Sequence, residues 1–230
     1  MDSCVTAALA ARDTDAYGLH FSYGQRTEAR ELTSARAVAI HLGLKDFLPL
    51  RMDLFRQIGG SALTDDTIAV PDAAADFDGS SSDPQPSSAD IPVTYVPFRN
   101  AHFLSAAVSW AEVLGASRVY IGAVEPDSSG YPDCRPAYYE AFQQLVRMGT
   151  KDGQIEIITP LIAKNKAEIV RLGLECQAPL DLTWSCYREA QKACGKCESC
   201  VLRLRAFQVA GENDPIPYAS AQEKEHAASA

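Results

Sequence analysis

Four cysteines, Cys186, Cys194, Cys197 and Cys200, fall within fifteen residues of a 230-residue chain that holds seven cysteines in all. Their spacing, C-x7-C-x2-C-x2-C, lets short backbone turns aim several thiolates at one cation. Gly195, inside the string Cys194-Gly-Lys-Cys197, suits a tight knuckle because glycine takes positive φ while neighbouring amides turn toward sulfur. Four protein thiolates around zinc leave no open coordination position, so such an ion would be structural, holding a loop-rich lobe together without activating water. The C-x2-C-x2-C pattern also occurs where thiolates hold a [4Fe–4S] cluster, and buried free thiols are a third reading. Zinc fits the spacing and the compartment best. Cys4, Cys134 and Cys176 are scattered. No histidine lies near Cys134 in sequence to activate it as a nucleophile, so it is read as structural.

The rest of the composition narrows the partners. Thirty acidic against twenty-one basic residues give a net charge of -9, which argues against tight binding of a nucleic-acid backbone. A small anion held by local cations remains open. No apolar run approaches the roughly 20 residues that cross a bilayer, and Met1-Asp2-Ser3 lacks the basic start of a signal peptide. The chain therefore reads as cytoplasmic, without membrane or nucleic-acid partners, and with disulfides disfavoured. At 47% hydrophobic and 22% charged residues, it should fold as one domain or one plus a small appendage.

Apolar periodicity predicts a helix from residue 2 or 3, with Asp2 or Ser3 as its cap. It goes on to predict a strand over 16–23, a helix over 27–42 and a strand over 46–50. Residues 59–90 are rich in Ser, Asp and Pro and read as a mobile loop that covers a site. An extended stretch at 91–100 puts Arg99 and Asn100 at a strand-to-helix junction before a helix over 103–114. Then follow a strand (118–123), a helix (136–148), a strand (154–158) and a helix (166–172). This alternation predicts an α/β domain over residues 1–180. Its sheet is doubly wound and mostly parallel, with ligands beyond the carboxyl ends of the strands. The cysteine lobe and a helix occupy 181–210, and 211–230 reads as a disordered, frayed tail. Such a sheet ordinarily begins with a buried strand that feeds the first helix, so the expectation is that a leading strand is missing.

Several strings in order carry a specific resemblance: Met1-Asp2-Ser3; Tyr-Gly-Gln-Arg at 23–26; Val-Pro-Phe-Arg-Asn at 96–100; Ser-Gly-Tyr-Pro-Asp-Cys-Arg-Pro at 129–136; Thr-Pro-Leu at 159–161 with Lys-Ala-Glu-Ile at 166–169; and Leu-Thr-Trp-Ser-Cys-Tyr at 182–187 leading into the cysteine cluster. With these the chain resembles the ATP-dependent 7-cyano-7-deazaguanine synthases of queuosine biosynthesis, within the PP-loop pyrophosphatase superfamily. The resemblance implies a Rossmann-type, adenine-nucleotide alpha-hydrolase-like fold with a zinc lobe. Its partners would be ATP with Mg2+, ammonia and 7-carboxy-7-deazaguanine, and the assembly a homodimer. Of the family's Ser-Gly-Gly-x-Asp-Ser phosphate loop only the end, Met1-Asp2-Ser3, is present. The reading preferred here is that the start was assigned at an internal methionine. The alternative is a chain that lacks its phosphate cradle. Phe98 is a second departure, standing where the family usually carries a small residue.

The resemblance also implies roles. Asp2 and Lys166 would be catalytic, Asp2 holding metal or orienting the loop and Lys166 neutralising phosphate. Met1, Asp2, Ser3, Cys4, Val5, Thr6 and Ala7 would meet the pyrophosphate, with Tyr23 and Gln25 in the adenine pocket. Arg99, Asn100, Asp133 and Arg135 would bind substrate, Asp133 accepting from the guanine-like edge and Arg135 pairing with its carboxylate. The chemistry sets this demand: a carboxylate must be activated before ammonia can attack it, and the resulting amide must be activated again before it can lose oxygen. Competing readings are a PP-loop enzyme that modifies tRNA and an inactive paralogue.

Overall fold

The computed structural model describes residues 1–73, 91–125 and 130–219. Among these, helix α1 (Asp2–Asp13) is followed by strand β1 (Gly18–Ser22), helix α2 (Glu28–His41), strand β2 (Phe47–Arg51) and a short helix α3 (Leu54–Ile58). Helix α4 (Arg99–Leu114), strand β3 (Arg118–Tyr120), helix α5 (Pro136–Gly149), strand β4 (Glu156–Ile158), helix α6 (Lys166–Glu175) and helix α7 (Glu198–Ala210) complete the order. The β-then-α alternation read from the sequence is that of a parallel α/β fold.

The strands form two parallel pairs. β1 lies beside β2 in the register Gly18↔Phe47 to Ser22↔Arg51, and β3 beside β4 from Arg118↔Glu156 to Tyr120↔Ile158. Among the described residues no strand pairs with the other edge of β1 or of β3, so the expected continuous sheet is interrupted. A cavity of about 740 Å³ lies there, lined by residues 18–21 and 118–122, by Ala7 and Ala10 of α1, and by Leu104, Ala107 and Ala111 of α4.

Two apolar cores hold the helices. Val5 of α1 packs with Ile169 and Val170 of α6 and Phe207 of α7. Leu104 and Val108 of α4 pack with Val119 of β3, and with Tyr139, Phe142 and Val146 of α5. An Asn165 capping box starts α6: its side chain accepts from the Glu168 amide, and Glu168 accepts from the Asn165 amide. Two donors that a helix start leaves open are thereby satisfied, which fixes Lys166 at the first helical position.

Four expectations are revised. Met1 marks the N-terminal boundary of α1 and no side chain caps it, because the Asp2 carboxylate turns instead toward Lys166. Residues 91–98 turn rather than extend, with Tyr95 N–H donating to Pro92 O and Arg99 N–H to Val96 O. Pro92 and Pro97 supply no ladder donors, and burial of Thr94 and Val96 favours the folded path. Arg99 and Asn100 therefore stand in the first turn of α4, not before it. The start of the segment read as a mobile loop is packed: Ser61 and Ala62 are fully buried, and Asp72 bridges to Cys197. Its remainder, 74–90, lies outside the described residues. After α7, residues up to 219 are also packed. Ile216 is buried and Ala193 bridges to Tyr218; 220–230 lie outside the described residues.

Candidate active site and metal centre

The first turn of α1 opens onto the carboxyl ends of β1 and β3, the side of a parallel sheet where ligands bind. Met1, Ser3, Cys4, Thr6 and Ala7 line the cavity together with Tyr23 after β1 and Gly122 after β3. Gly122 permits the approach, since a Cβ there would come within 2.9 Å of the Ser3 nitrogen and of the Asp2 carbonyl carbon. Val5, by contrast, sends its side chain wholly into the core and offers a ligand only backbone.

Lys166 Nζ donates to Asp2 Oδ2 at 2.6 Å. Asp2 Oδ1 and the Thr6 hydroxyl are both buried with no hydrogen-bond partner among the described residues. Buried polar atoms of this kind ordinarily have partners. An anionic group and a cation at the N-terminal end of α1 would supply them, with the helix dipole favouring the anion. Burial raises the Asp2 carboxyl pKa, but Lys166 and the amino terminus outweigh that and hold it below the usual range.

Tyr23 links this corner to a second one. Its hydroxyl accepts from Arg99 Nη1 at 3.1 Å, and the guanidinium lies 5.6 Å from the Tyr23 ring centroid and 5.7 Å from that of Phe103. Arg99 Nε is buried without a partner among the described residues. Gln25 is spent on the turn after β1: its Oε1 accepts from the Tyr23 amide, while its Nε2 donates to Phe21 O and Glu31. It stands behind Tyr23.

Asn100 and Asp133 are brought together. The Asn100 amide donates to Asp133 Oδ2 at 3.0 Å, and Asn100 Nδ2 donates to Asp133 O at 2.9 Å. This pins the turn Pro132–Cys134 to the start of α4. Burial raises the Asp133 pKa, opposed by the Asn100 amide and Arg99. Arg135 stands apart at the start of α5, with no side-chain hydrogen bond or ion pair among the described residues. Cys134 is buried and its thiol pushed up to about 11 by desolvation, in keeping with a structural role.

Two aromatic neighbours of Arg99 were not singled out from the sequence. Tyr131 shares a hydrogen bond with Thr94 at 2.8 Å. Tyr187 packs with both the cysteine lobe and the cluster that holds Tyr23 and Phe55, so it ties the lobe to the site. Both tyrosines sit inside the sequence strings quoted above, which was the available signal.

The four cysteines form one nest. The sulfurs of Cys186, Cys194, Cys197 and Cys200 all lie within 4.8 Å of one another and are buried, with Cys194 and Cys200 at 3.9 Å. Four thiolates at ~2.3 Å from a tetrahedral ion stand ~3.8 Å apart, so a single ion fits. A cubane cluster, which spreads its thiolates over separate irons, asks for a wider nest. Cys186 Sγ accepts from the amides of Arg188, Glu189 and Cys194, and Cys194 Sγ from those of Lys196 and Cys197. Gly195, at φ 70°, makes the second of these turns. Trp184, Ala62, Val70 and Ile216 pack around the nest.

Fold and site together define a Rossmann-type α/β protein with a four-cysteine lobe that could hold a metal ion. A profile of the queuosine biosynthesis protein QueC matches residues 1–211. The chain belongs to the QueC family. It is 70% identical over 219 residues to a 7-cyano-7-deazaguanine synthase of Acidobacterium capsulatum, covering 95% of this chain and 93% of that one. Synthases of the same name from Koribacter versatilis and Chlorobaculum tepidum are 60% and 52% identical, over 95% of this chain and 90% and 92% of theirs.

Proposed function

We propose that this chain makes 7-cyano-7-deazaguanine for queuosine biosynthesis from 7-carboxy-7-deazaguanine and ammonia at the expense of ATP. What carries the reading is the corner formed by Asp2, Lys166 and Thr6, where two buried oxygens lack partners among the described residues beside a paired lysine, in a chain 70% identical to a synthase of that name.

The substrate carboxylate attacks the α-phosphorus of ATP and releases pyrophosphate, giving an acyl adenylate. Ammonia displaces AMP to leave the amide. The amide oxygen is then activated at a second ATP, and its departure with AMP and loss of the nitrogen protons leaves the nitrile. Charge builds on phosphoryl oxygens in both activations, and preorganised donors are the effective remedy. Lys166 and the first-turn amides of α1 meet that charge, and Asp2 would hold Mg2+ through the oxygen that Lys166 leaves open. Arg99 grips the substrate carboxylate and Asp133 accepts from the guanine-like edge. Zinc in the cysteine nest would be structural, since four thiolates would fill its coordination sphere. The slot between β1 and β3 is wide enough to accept an extended apolar segment.

The test is turnover of the acid with ammonium and Mg-ATP, followed by mass spectrometry, with the chain alone and with a leading strand ending in Ser-Gly-Gly restored. Amide followed by nitrile is expected from the restored chain. Nucleotide turnover that responds only to tRNA would overturn the reading.

A further inference from the structure

Phe98 breaks three local rules at once. It precedes α4 at φ 56° and ψ 25°, the left-handed region where the Cβ of an L-residue is crowded. Only one other described non-glycine residue, Gln177, has positive φ. It stands where Ser, Thr, Asp, Asn or Gly ordinarily caps a helix, and it makes no side-chain cap. Its residue is 60% exposed, so the ring gains little from burial.

The surroundings hold this conformation in place. The Phe98 amide donates to Tyr95 Oη at 3.0 Å. Tyr95 in turn rests 5.6 Å from the ring of Tyr131, which is tied to Thr94. A strained residue kept by a rigid setting, with little burial to offset the strain, is the pattern seen at ligand sites. The two rings nearest Phe98, His102 at 6.2 Å and Tyr138 at 6.5 Å, stand at 85° and 86° to it. Among the described residues none stacks on it. Tyr138 Oη, beside it, is buried without a hydrogen-bond partner there. Phe98 is also the immediate neighbour of Arg99 and Asn100, and Asn100 carries Asp133.

We propose that Phe98 is the stacking platform for the flat ring of the deazapurine substrate, and so a specificity residue. This rests on the proposal above that the substrate binds at Arg99, Asn100 and Asp133. Those groups address the polar edges of the heterocycle, while most of its surface is two π faces that edge contacts leave wet. An exposed ring next to Arg99 and Asn100, with no stacked neighbour among the described residues, covers one of them.

The experiment is equilibrium titration of 7-carboxy-7-deazaguanine, and separately of Mg-ATP, into the wild type, Phe98→Leu, Phe98→Gly and Phe98→Tyr. Removing the ring, as in the Leu and Gly variants, is expected to weaken binding of the acid about 5- to 100-fold, the range for one base on an aromatic ring. ATP affinity should change by less than about twofold, and Tyr should bind as Phe does. The Gly variant should melt no lower than the wild type because it relieves the left-handed strain, so its loss of binding is not a loss of fold. Perturbation of the deazapurine absorbance on binding should vanish with the ring. If Phe98→Leu binds the acid as the wild type does, or loses ATP and acid equally, the stacking role is overturned while the site stands. A wild type that does not bind the acid overturns the site and the platform together.

Discussion

Lys166 Nζ and Asp2 Oδ2 meet at 2.6 Å across 164 positions of sequence, joining the N-terminal ends of α6 and α1. Both side chains are mostly covered, at 17% and 26% exposure. Burial alone would raise the Asp2 pKa, but Lys166 and the amino terminus bring it below the ordinary carboxylate value. A depressed folded-state pKa contributes stability that is present above the unfolded carboxyl value of ~4 and is lost as pH falls through the folded value.

Replacing Lys166 with Met leaves that carboxylate covered and unpaired. The expected loss at pH 7 is about 2 kcal/mol, below that of a fully buried pair because both side chains keep some water. Urea denaturation should show the deficit shrinking as pH falls, because burial favours a proton on the unpaired Asp2. ATP-dependent turnover should disappear at every pH. Equal stability of variant and wild type at pH 7 would show that the pair does not position Asp2.

The cysteine nest makes a prediction about folding. Its sulfurs are buried under Trp184, Val70 and Ile216, and an ion there would join the segment around Cys186 to the start of α7. Cys197→Ser, or chelation of the wild type, should release about one zinc per chain by elemental analysis. The melting temperature should drop by more than about 10 °C, since a structural zinc contributes to folding directly. Trp184 fluorescence should shift to that of a wetter indole. Iron or labile sulfide in the purified protein would overturn the zinc assignment.

Local patterns were legible and distant pairings were not. The cysteine spacing, the helix that starts at Lys166, and the alternation of strands and helices are short-range signals that act within a few residues. The turn at 91–98 was not legible, because Val93, Tyr95 and Val96 give strand-like propensity that burial and two prolines override. Asp2 and Lys166 could each be singled out, but nothing local said that they touch. Asp214 lies in a polar stretch, Glu-Asn-Asp-Pro at 212–215, that reads as tail, although its partner lies in α7. Phe98 was visible as a departure, but its left-handed backbone was not.

That hidden partner is Arg203. Its Nε and Nη2 donate to the two oxygens of Asp214 at 2.8 and 2.9 Å, and the side chains are each 2% exposed. Nη1 donates to Thr183 and Nη2 also to Leu180 O, so the guanidinium joins α7, the lobe entry and residues 212–219. Asp214→Asn should cost about 3–5 kcal/mol, because it strands a buried cation. Replacing both partners with apolar residues should cost less than that single change. A double variant less stable than Asp214→Asn would mean that the contacts to Thr183 and Leu180 dominate.

The slot between β1 and β3 predicts unequal protection of amides. Buried strand edges need partners, yet the inner edges of these two strands have none among the described residues. Amides aimed into the slot should exchange with solvent faster than those of the β1–β2 ladder. A leading apolar segment of about five residues, the length of β1, should slow that exchange on both strands together and raise the melting temperature. If it protects neither edge, the slot does not accept a strand.

Asp133 separates binding from folding. It is 4% exposed, and burial raises its carboxyl pKa, partly offset by the Asn100 amide and Arg99. A raised folded-state carboxyl costs stability as pH climbs through its folded value, so Asp133→Asn, which can still accept from the Asn100 amide, should leave stability at pH 7 equal or slightly higher. Binding of 7-carboxy-7-deazaguanine should nevertheless fall about 10- to 100-fold, because the amino and ring N–H donors lose an anionic acceptor. Wild-type affinity should also decline as acid protonates Asp133, a decline that Asp133→Asn should lack once the ionisation of the ligand itself is subtracted. If the variant binds as tightly as the wild type, Asp133 only pins its turn to α4 and the heterocycle is read by other groups.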